Sequence, residues 1–179
     1  ASNPDIVGFS RVRSPINDRD YYSLLSIGSE FVRYSMKNSF VDSVYLIFRN
    51  SGAVFSTYYA SPSFEWIYSH FVRYNGMGYD EWEKSIDLWS ARKGLYPVSE
   101  IEMYGKTVQG LTHRVPIAMG GRDPKATLLA VIARESIIAY FAELTEHESS
   151  LEIHGADGEL LFSAGPPDDE AQRGIRVSV

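Results

Sequence analysis

Cysteine is absent from the 179 residues. That excludes disulfides, thiol nucleophiles and thiolate-bound zinc, and leaves the compartment open. No run reaches the roughly 18 consecutive apolar residues that a membrane-crossing helix needs, and no cleavable leader pattern is visible. Positive charge is scarce: 17 Lys and Arg stand against 23 Asp and Glu, a net charge of −6. With no basic stripe to neutralise phosphates, direct nucleic-acid binding by this segment is not expected. The longest same-sign run, Asp168-Asp169-Glu170 beside Pro166-Pro167, reads as a solvated loop.

The motifs of catalysis are missing as well. His70, His113, His147 and His154 form no HExxH or HxH pair, so a metal would need ligands brought together by the fold alone. There is no GxSxG elbow, P-loop, GxGxxG fingerprint or EF-hand loop. Gly76-Met77-Gly78 reads as a turn between helices. Asp80-Glu81 are sequence neighbours that point to solvent, whereas paired catalytic carboxylates converge from separate elements. The expectation is a protein that is not an enzyme, with no catalytic residues, no cofactor and no metal.

What the chain does have is aromatic side chains, 13% of it, with 12 Tyr, 9 Phe and 3 Trp. Such residues either build an aromatic core or line a small-ligand pocket. A length of 179 residues fits one domain, or one domain and part of a second, and buries a core without staples.

Residues 1–17, with Pro4 and Pro15, read as an extended lead-in. From Asp18 onward, Tyr21, Leu24, Leu25, Gly28, Phe31, Val32 and Met36 recur at spacings of three and four, one face of a long helix that Asn17 or Asp18 can cap. Val44 to Phe48 and Val54 to Tyr59 are β-rich and flank the turn residues Asn50-Ser51-Gly52, a hairpin. Ser61-Pro62-Ser63 opens a helix carrying Phe64, Ile67, Tyr68, Phe71 and Val72. A second short helix, capped by Asp80, carries Trp82, Ile86 and Trp89. Leu95 to Tyr104 is assigned to no element. Thr107 to Ile117 and Thr127 to Ile132 read as strands, and Ile137 to Leu144 as a helix. Asp157-Gly158 between Leu151–His154 and Leu160–Phe162 signals another hairpin, and Ile175 to Val179 a last strand. Hairpins segregated from helices predict an α+β fold, with 43–49, 53–59, 107–117 and 126–133 neighbours in one antiparallel sheet.

This order of segments resembles a known family. Phe40-Val41-Asp42-Ser43-Val44-Tyr45-Leu46-Ile47-Phe48 with Gly52 to Ser56, the tryptophan helix from Tyr79 to Trp89, Leu111 to Ile117, and Leu151 to Ser163 are similar to Cache-type extracellular sensors. In particular they look like those of AraC-type transcriptional regulators carried on membrane-spanning proteins of Gram-positive, Paenibacillus-like bacteria. The resemblance covers about residues 18–165 and rests on order and hydrophobic texture. It implies a PAS-like antiparallel sheet flanked by helices, with a long N-terminal helix at a homodimer interface. Residues 18–150 would form the sensor module, and 151–179 either begin a second, membrane-proximal module or close the first. It also implies an extracellular position, membrane anchors outside this chain, and a separate cytoplasmic DNA-binding output domain. Histidine kinases and chemoreceptors use related sensors, and a ligand-free dimerisation or spacer module is the alternative from another class.

The ligand implied is a small molecule, a carbohydrate or a partner protein. Candidate contacts are Tyr59, Trp66, Tyr68, Trp82, Trp89, His113 and Arg114. The rings are expected between the short helices and the sheet. For an anionic ligand the available groups are Arg73, Arg92, His113 and Arg114, with Arg114 favoured for its bidentate fork. The competing account is that these rings close-pack.

Overall fold

A computed structural model describes residues 4–35, 40–119, 123–144, 149–165 and 173–178. Its first element, α1 (Pro4–Phe9), shows that the lead-in is not wholly extended. Phe9 is buried edge-on against Phe48, their ring centroids 4.9 Å apart, and that burial holds the segment in place. The long helix α2 (Asp18–Ser35) follows. Asn17 caps it: its Oδ1 accepts from the Asp20 N–H at 3.0 Å, and Asp20 reaches back to the Asn17 N–H at 3.3 Å. This reciprocal pair satisfies donors that a helix start leaves free. The buried face is Leu24, Ile27 and Gly28, while Tyr21 and Leu25 are exposed, so the stripe is rotated from the sequence expectation. The predicted Met36 lies outside the described residues.

The main sheet contains β1 (Ser43–Phe48), β2 (Val54–Ser56), β3 (Ala60–Ser61), β4 (Val72–Tyr74), β5 (Gly94–Met103), β6 (Lys106–Ile117) and β7 (Ala126–Ala133), in the order β3-β2-β1-β7-β6-β5-β4. All its described pairings are antiparallel. The four predicted segments are neighbours in it, and the fold is α+β with helices on the sheet, as a PAS-like domain requires. Period-two alternation divides β1 between two cores. Tyr45 and Ile47 face a core with α3 (Phe64–Phe71) and α4 (Tyr79–Ser85); Leu46 and Phe48 face a core with α1 and α2.

Four boundaries differ from the sequence reading. The strand expected to run to Tyr59 stops at Ser56, and the chain bends before β3. Leu95 to Tyr104 is mostly strand, masked in sequence by Pro97, where the β5–β6 register shifts between Tyr96 and Ser99. Val72 ends the α3 pattern in extended conformation and starts β4 rather than completing the helical face. The second short helix starts after Gly78 and stops at Ser85, so Asp80 sits in its first turn rather than at its cap, and Asp87 turns the chain with a φ of 45°.

Beyond the main sheet, α5 (Arg134–Leu144) leads to a smaller sheet of β8 (Ser149–His154), β9 (Leu160–Ala164) and β10 (Arg173–Ser178). β8 and β9 form the predicted antiparallel hairpin, and β10 pairs with β8 in parallel. Leu151, Leu161 and Phe162 pack with Leu111 and Ile137 in a third core. The start of α5 is fixed from far along the chain: Asp42 Oδ2 accepts from the Ala133 N–H at 2.6 Å and the Ser136 hydroxyl at 3.3 Å.

The segment after α4 is strapped to the sheet through its carbonyls. Arg114, 3% exposed, donates to the carbonyls of Asp87, Ser90 (3.3 Å) and Arg92 (2.7 Å). Thr127 donates to Leu88 at 2.8 Å, and the Tyr96 hydroxyl donates to Ile86. A charged donor shared among carbonyls is a strong hold. We expect Arg114→Met to lower unfolding stability by about 1.5–3 kcal/mol in urea titrations, and Arg114→Lys to recover less than half of it, because one ammonium cannot span three carbonyls. Wild-type stability in Arg114→Met would contradict the strap. A second test addresses the β6–β7 pairing. A Cβ on Gly110 would lie 2.9 Å from the Ile132 carbonyl oxygen. Gly110→Ala should therefore cost about 1–3 kcal/mol, and an unchanged urea midpoint would rule out that close approach.

Candidate functional site

The face of the sheet beneath α3 and α4 is filled. Trp82 and Tyr68 are each 1% exposed and pack against Phe64, Tyr74 and Tyr79. The Trp82–Tyr68 centroids are 4.8 Å apart. Tyr68 is bound at both ends of its hydroxyl, donating to the Met77 carbonyl and accepting from the Tyr74 N–H, each at 3.3 Å. Trp89 is half-buried over the same core, with its indole N–H donating to Glu83 Oε1 at 2.7 Å and the Arg49 guanidinium 5.8 Å from its ring. The structure thus places Tyr68, Trp82 and Trp89 in packing positions, and Arg114 in the strap.

The two remaining rings, Tyr59 and Trp66, lie together at the edge of that core. They line a groove of about 530 Å³ with Tyr21, Ser61, Phe71 and Tyr104. Four elements supply it: Tyr21 from α2, Tyr59 and Ser61 from the β2–β3 corner, Trp66 and Phe71 from α3, and Tyr104 from the β5–β6 turn. Its rings stand open to water, with Trp66 51%, Phe71 41% and Tyr104 40% exposed. Ser63 caps α3, its hydroxyl accepting from the Trp66 N–H at 3.2 Å, which fixes where the indole projects. His70 covers one side of that indole at 4.7 Å and donates from Nδ1 to the Trp66 carbonyl.

Tyr104 is the residue that sequence reasoning missed. It and Gly105 form the two-residue tip of the β5–β6 hairpin, with φ of 52° and 74°. Such a turn favours Asn-Gly, and a bulky residue in left-handed backbone costs about 1–3 kcal/mol. Here the strain places a ring at 5.5 Å from Tyr58, 5.9 Å from Tyr59 and 6.2 Å from Phe71. The signal was present as Tyr-Gly between two β-rich runs, but it needed the strand at 94–103 to be assigned first.

The hydroxyl of Tyr59 is buried out of reach of water, in the neighbourhood of Tyr45, Tyr104 and Ser56. Burial, followed by the neighbouring Tyr45, raises its pKa far above the ordinary phenol range, so it remains a donor. Tyr45 is raised chiefly by burial too.

His113 lies elsewhere, in a cleft of about 360 Å³ where β6 meets the β8–β9 turn, with Lys93, Asp157 and Glu159. Burial, and then Lys93, lower its pKa, so the imidazole is neutral at pH 7. Arg73 donates to the Ser69 carbonyl at 3.1 Å, and the Arg92 carbonyl belongs to the strap. Arg73, His113 and Arg114 lie at separate places in the fold. Among the described residues, no group of three or more His, Asp or Glu is placed to hold a metal, and no helix is long and apolar enough to cross a membrane.

No protein-family model and no curated protein matches the chain. Among solved structures, it is similar to the ligand-binding domain of the Pseudomonas aeruginosa amino acid chemoreceptor PctC in complex with GABA, at 15% identity and a TM-score of 0.44. The likeness covers 93% of this chain and 64% of that one, so this chain spans less than two thirds of the solved domain. A likeness at this level assigns no residue of the groove.

Proposed function

We propose that this chain is the extracytoplasmic ligand-sensing domain of a membrane-anchored signalling protein, and that the aromatic groove is its ligand site. The observation that carries the reading is the shared construction of the groove: Tyr21 of the long helix stands in the same wall as Trp66, Phe71 and Tyr104. A ligand held there touches α2 and the sheet together. It can bias their arrangement by its difference in affinity for two arrangements, which is all that a sensor requires. Rings around an apolar space with few polar tips are the usual make-up of a small-molecule site. A groove open to water and a strained Tyr104 favour a ligand over a spacer role, since a spacer gains nothing from either.

In this reading α2 transmits the change and pairs with its copy in a homodimer; Tyr22 and Leu25 stand exposed on it, at 72% and 42%. The output is a separate domain. The sequence resemblance favours an AraC-type, DNA-binding regulator, with a histidine kinase or chemoreceptor as the alternative. The segment itself has no enzymatic role and does not bind nucleic acid, its net charge being −6.

A thermal-shift screen of metabolites against the wild-type domain tests the site. Tyr104→Asn serves as control, because Asn-Gly suits the turn and removes only the ring. A true ligand raises the wild-type Tm, and the variant keeps its fold but loses at least about tenfold in affinity. Ligands that bind both proteins equally would remove the groove from the reading.

A further inference from the structure

Asp42 stands between α2 and β1 in the chain, yet it holds α5. Its Oδ2 accepts from the Ala133 N–H at 2.6 Å and from the Ser136 hydroxyl at 3.3 Å, 91 and 94 residues away. Its own N–H donates to the Val131 carbonyl at 2.9 Å. Two residues earlier, Phe40 lies against Tyr140 of the same helix, with centroids 5.2 Å apart. A helix start leaves backbone donors free, and a carboxylate there is favoured further by the helix dipole. α5 thus takes a cap from the entry to β1, far along the chain.

The same entry is held from the other side by the β2–β3 corner. The Thr57 N–H donates to the Val44 carbonyl at 3.2 Å, and the Thr57 hydroxyl accepts from the Val44 N–H at 3.1 Å. The Tyr58 hydroxyl donates to the Asp42 carbonyl at 3.4 Å, and the Tyr58 ring stands 5.5 Å from Tyr104. Tyr59, next in the chain, lines the groove. Asp42 is therefore gripped by the groove corner through its backbone carbonyl and grips α5 through its carboxylate. Beyond that cap, Ile137 of α5 packs with Leu151, Leu161 and Phe162 of the small sheet. We propose that Asp42 is a latch: it couples the groove corner to α5, and through α5 to the small sheet, so that displacing the corner frees the start of α5. The signalling role of the latch rests on the ligand-sensing reading, whereas the coupling itself needs no ligand. It gives the domain a second route out of the groove, besides α2.

Contact alone does not establish coupling; a double-mutant cycle measures it. The readout is amide hydrogen exchange by NMR at Ala133 and along α5, in the whole chain without ligand. Asp42→Ala should speed these amides about fivefold, the factor that one lost helix cap is worth, and Asp42→Asn, which keeps an acceptor oxygen, should recover most of it. Tyr58 is 64% exposed, so Tyr58→Ala leaves the core intact. It should speed the same amides at least about twofold in the wild-type background and leave them unchanged in the Asp42→Ala background, where the latch is already open. Coupling is reciprocal, so Asp42→Ala should also speed the Thr57 amide, which a cap acting on α5 alone would not move. Ser136→Ala, which removes one of the two donors to Asp42, runs the same cycle from the α5 side if Asp42→Ala does not fold. The proposal is overturned if either single variant leaves α5 at the wild-type rate, if Tyr58→Ala acts as strongly without Asp42 as with it, or if Thr57 keeps its wild-type protection. Such a result leaves the groove standing as a ligand site, which the thermal-shift screen tests separately.

Discussion

The indole of Trp82 closes the space between the helices and the sheet, and the layout of the rest follows from that contact. It lies among Phe64, Tyr68, Tyr74 and Tyr79, with centroid distances from 4.8 to 6.0 Å. Interiors pack at crystal-like density, so a ring of this size leaves no room for a guest above the middle of the sheet. Apolar surface that cannot enter this core collects at its rim. There the end of α3, the β2–β3 corner and the β5–β6 turn converge, and Trp66, Phe71 and Tyr104 remain partly in water. The filled centre and the open edge are two results of one packing arrangement.

The strap from Arg114, Thr127 and Tyr96 serves the same end. The segment after α4 has no regular structure to absorb its carbonyls, and buried carbonyls without partners are costly. Side chains from β5, β6 and β7 supply those partners, which lets Leu88 bury fully without a helix. A guanidinium in a strand therefore has a third role, besides the solvent-facing and ligand-facing roles its sequence context suggests: it ties down irregular backbone.

Strong local patterns were legible in the sequence. Alternation and the Asn-Ser-Gly turn located β1 and β2, the apolar run at 127–132 located β7, and Asp-Gly located the β8–β9 hairpin. Weak or masked patterns were not. Pro97 hid β5, three residues are too few to announce β4, and the helical face running through Phe71 carried the reading past its true end. The helix stripe was rotated because Tyr21 and Leu25 are apolar enough to mimic core. Within the candidate site, residue type pointed to aromatics but could not sort them. Trp66 and Trp82 have the same side chain, and only the direction of two short helices decides that one faces water and the other the core. Tyr104 escaped because its importance depends on a positive φ, which residue type alone discourages.

The pairing of β1 with β7 also bears on how the chain reaches this state. The central ladder joins residues 43–48 to residues 126–131, so forming it closes a loop of most of the intervening chain. The hairpins β1–β2 and β5–β6 are local and close quickly, whereas the central ladder pays the entropy of a long loop before any hydrogen bond rewards it. Until then the inner edge of β1, bearing the apolar residues Tyr45 to Phe48, is an open strand edge. On a ribosome, or during refolding at high concentration, that edge is the part of the molecule most exposed to pairing with the wrong partner.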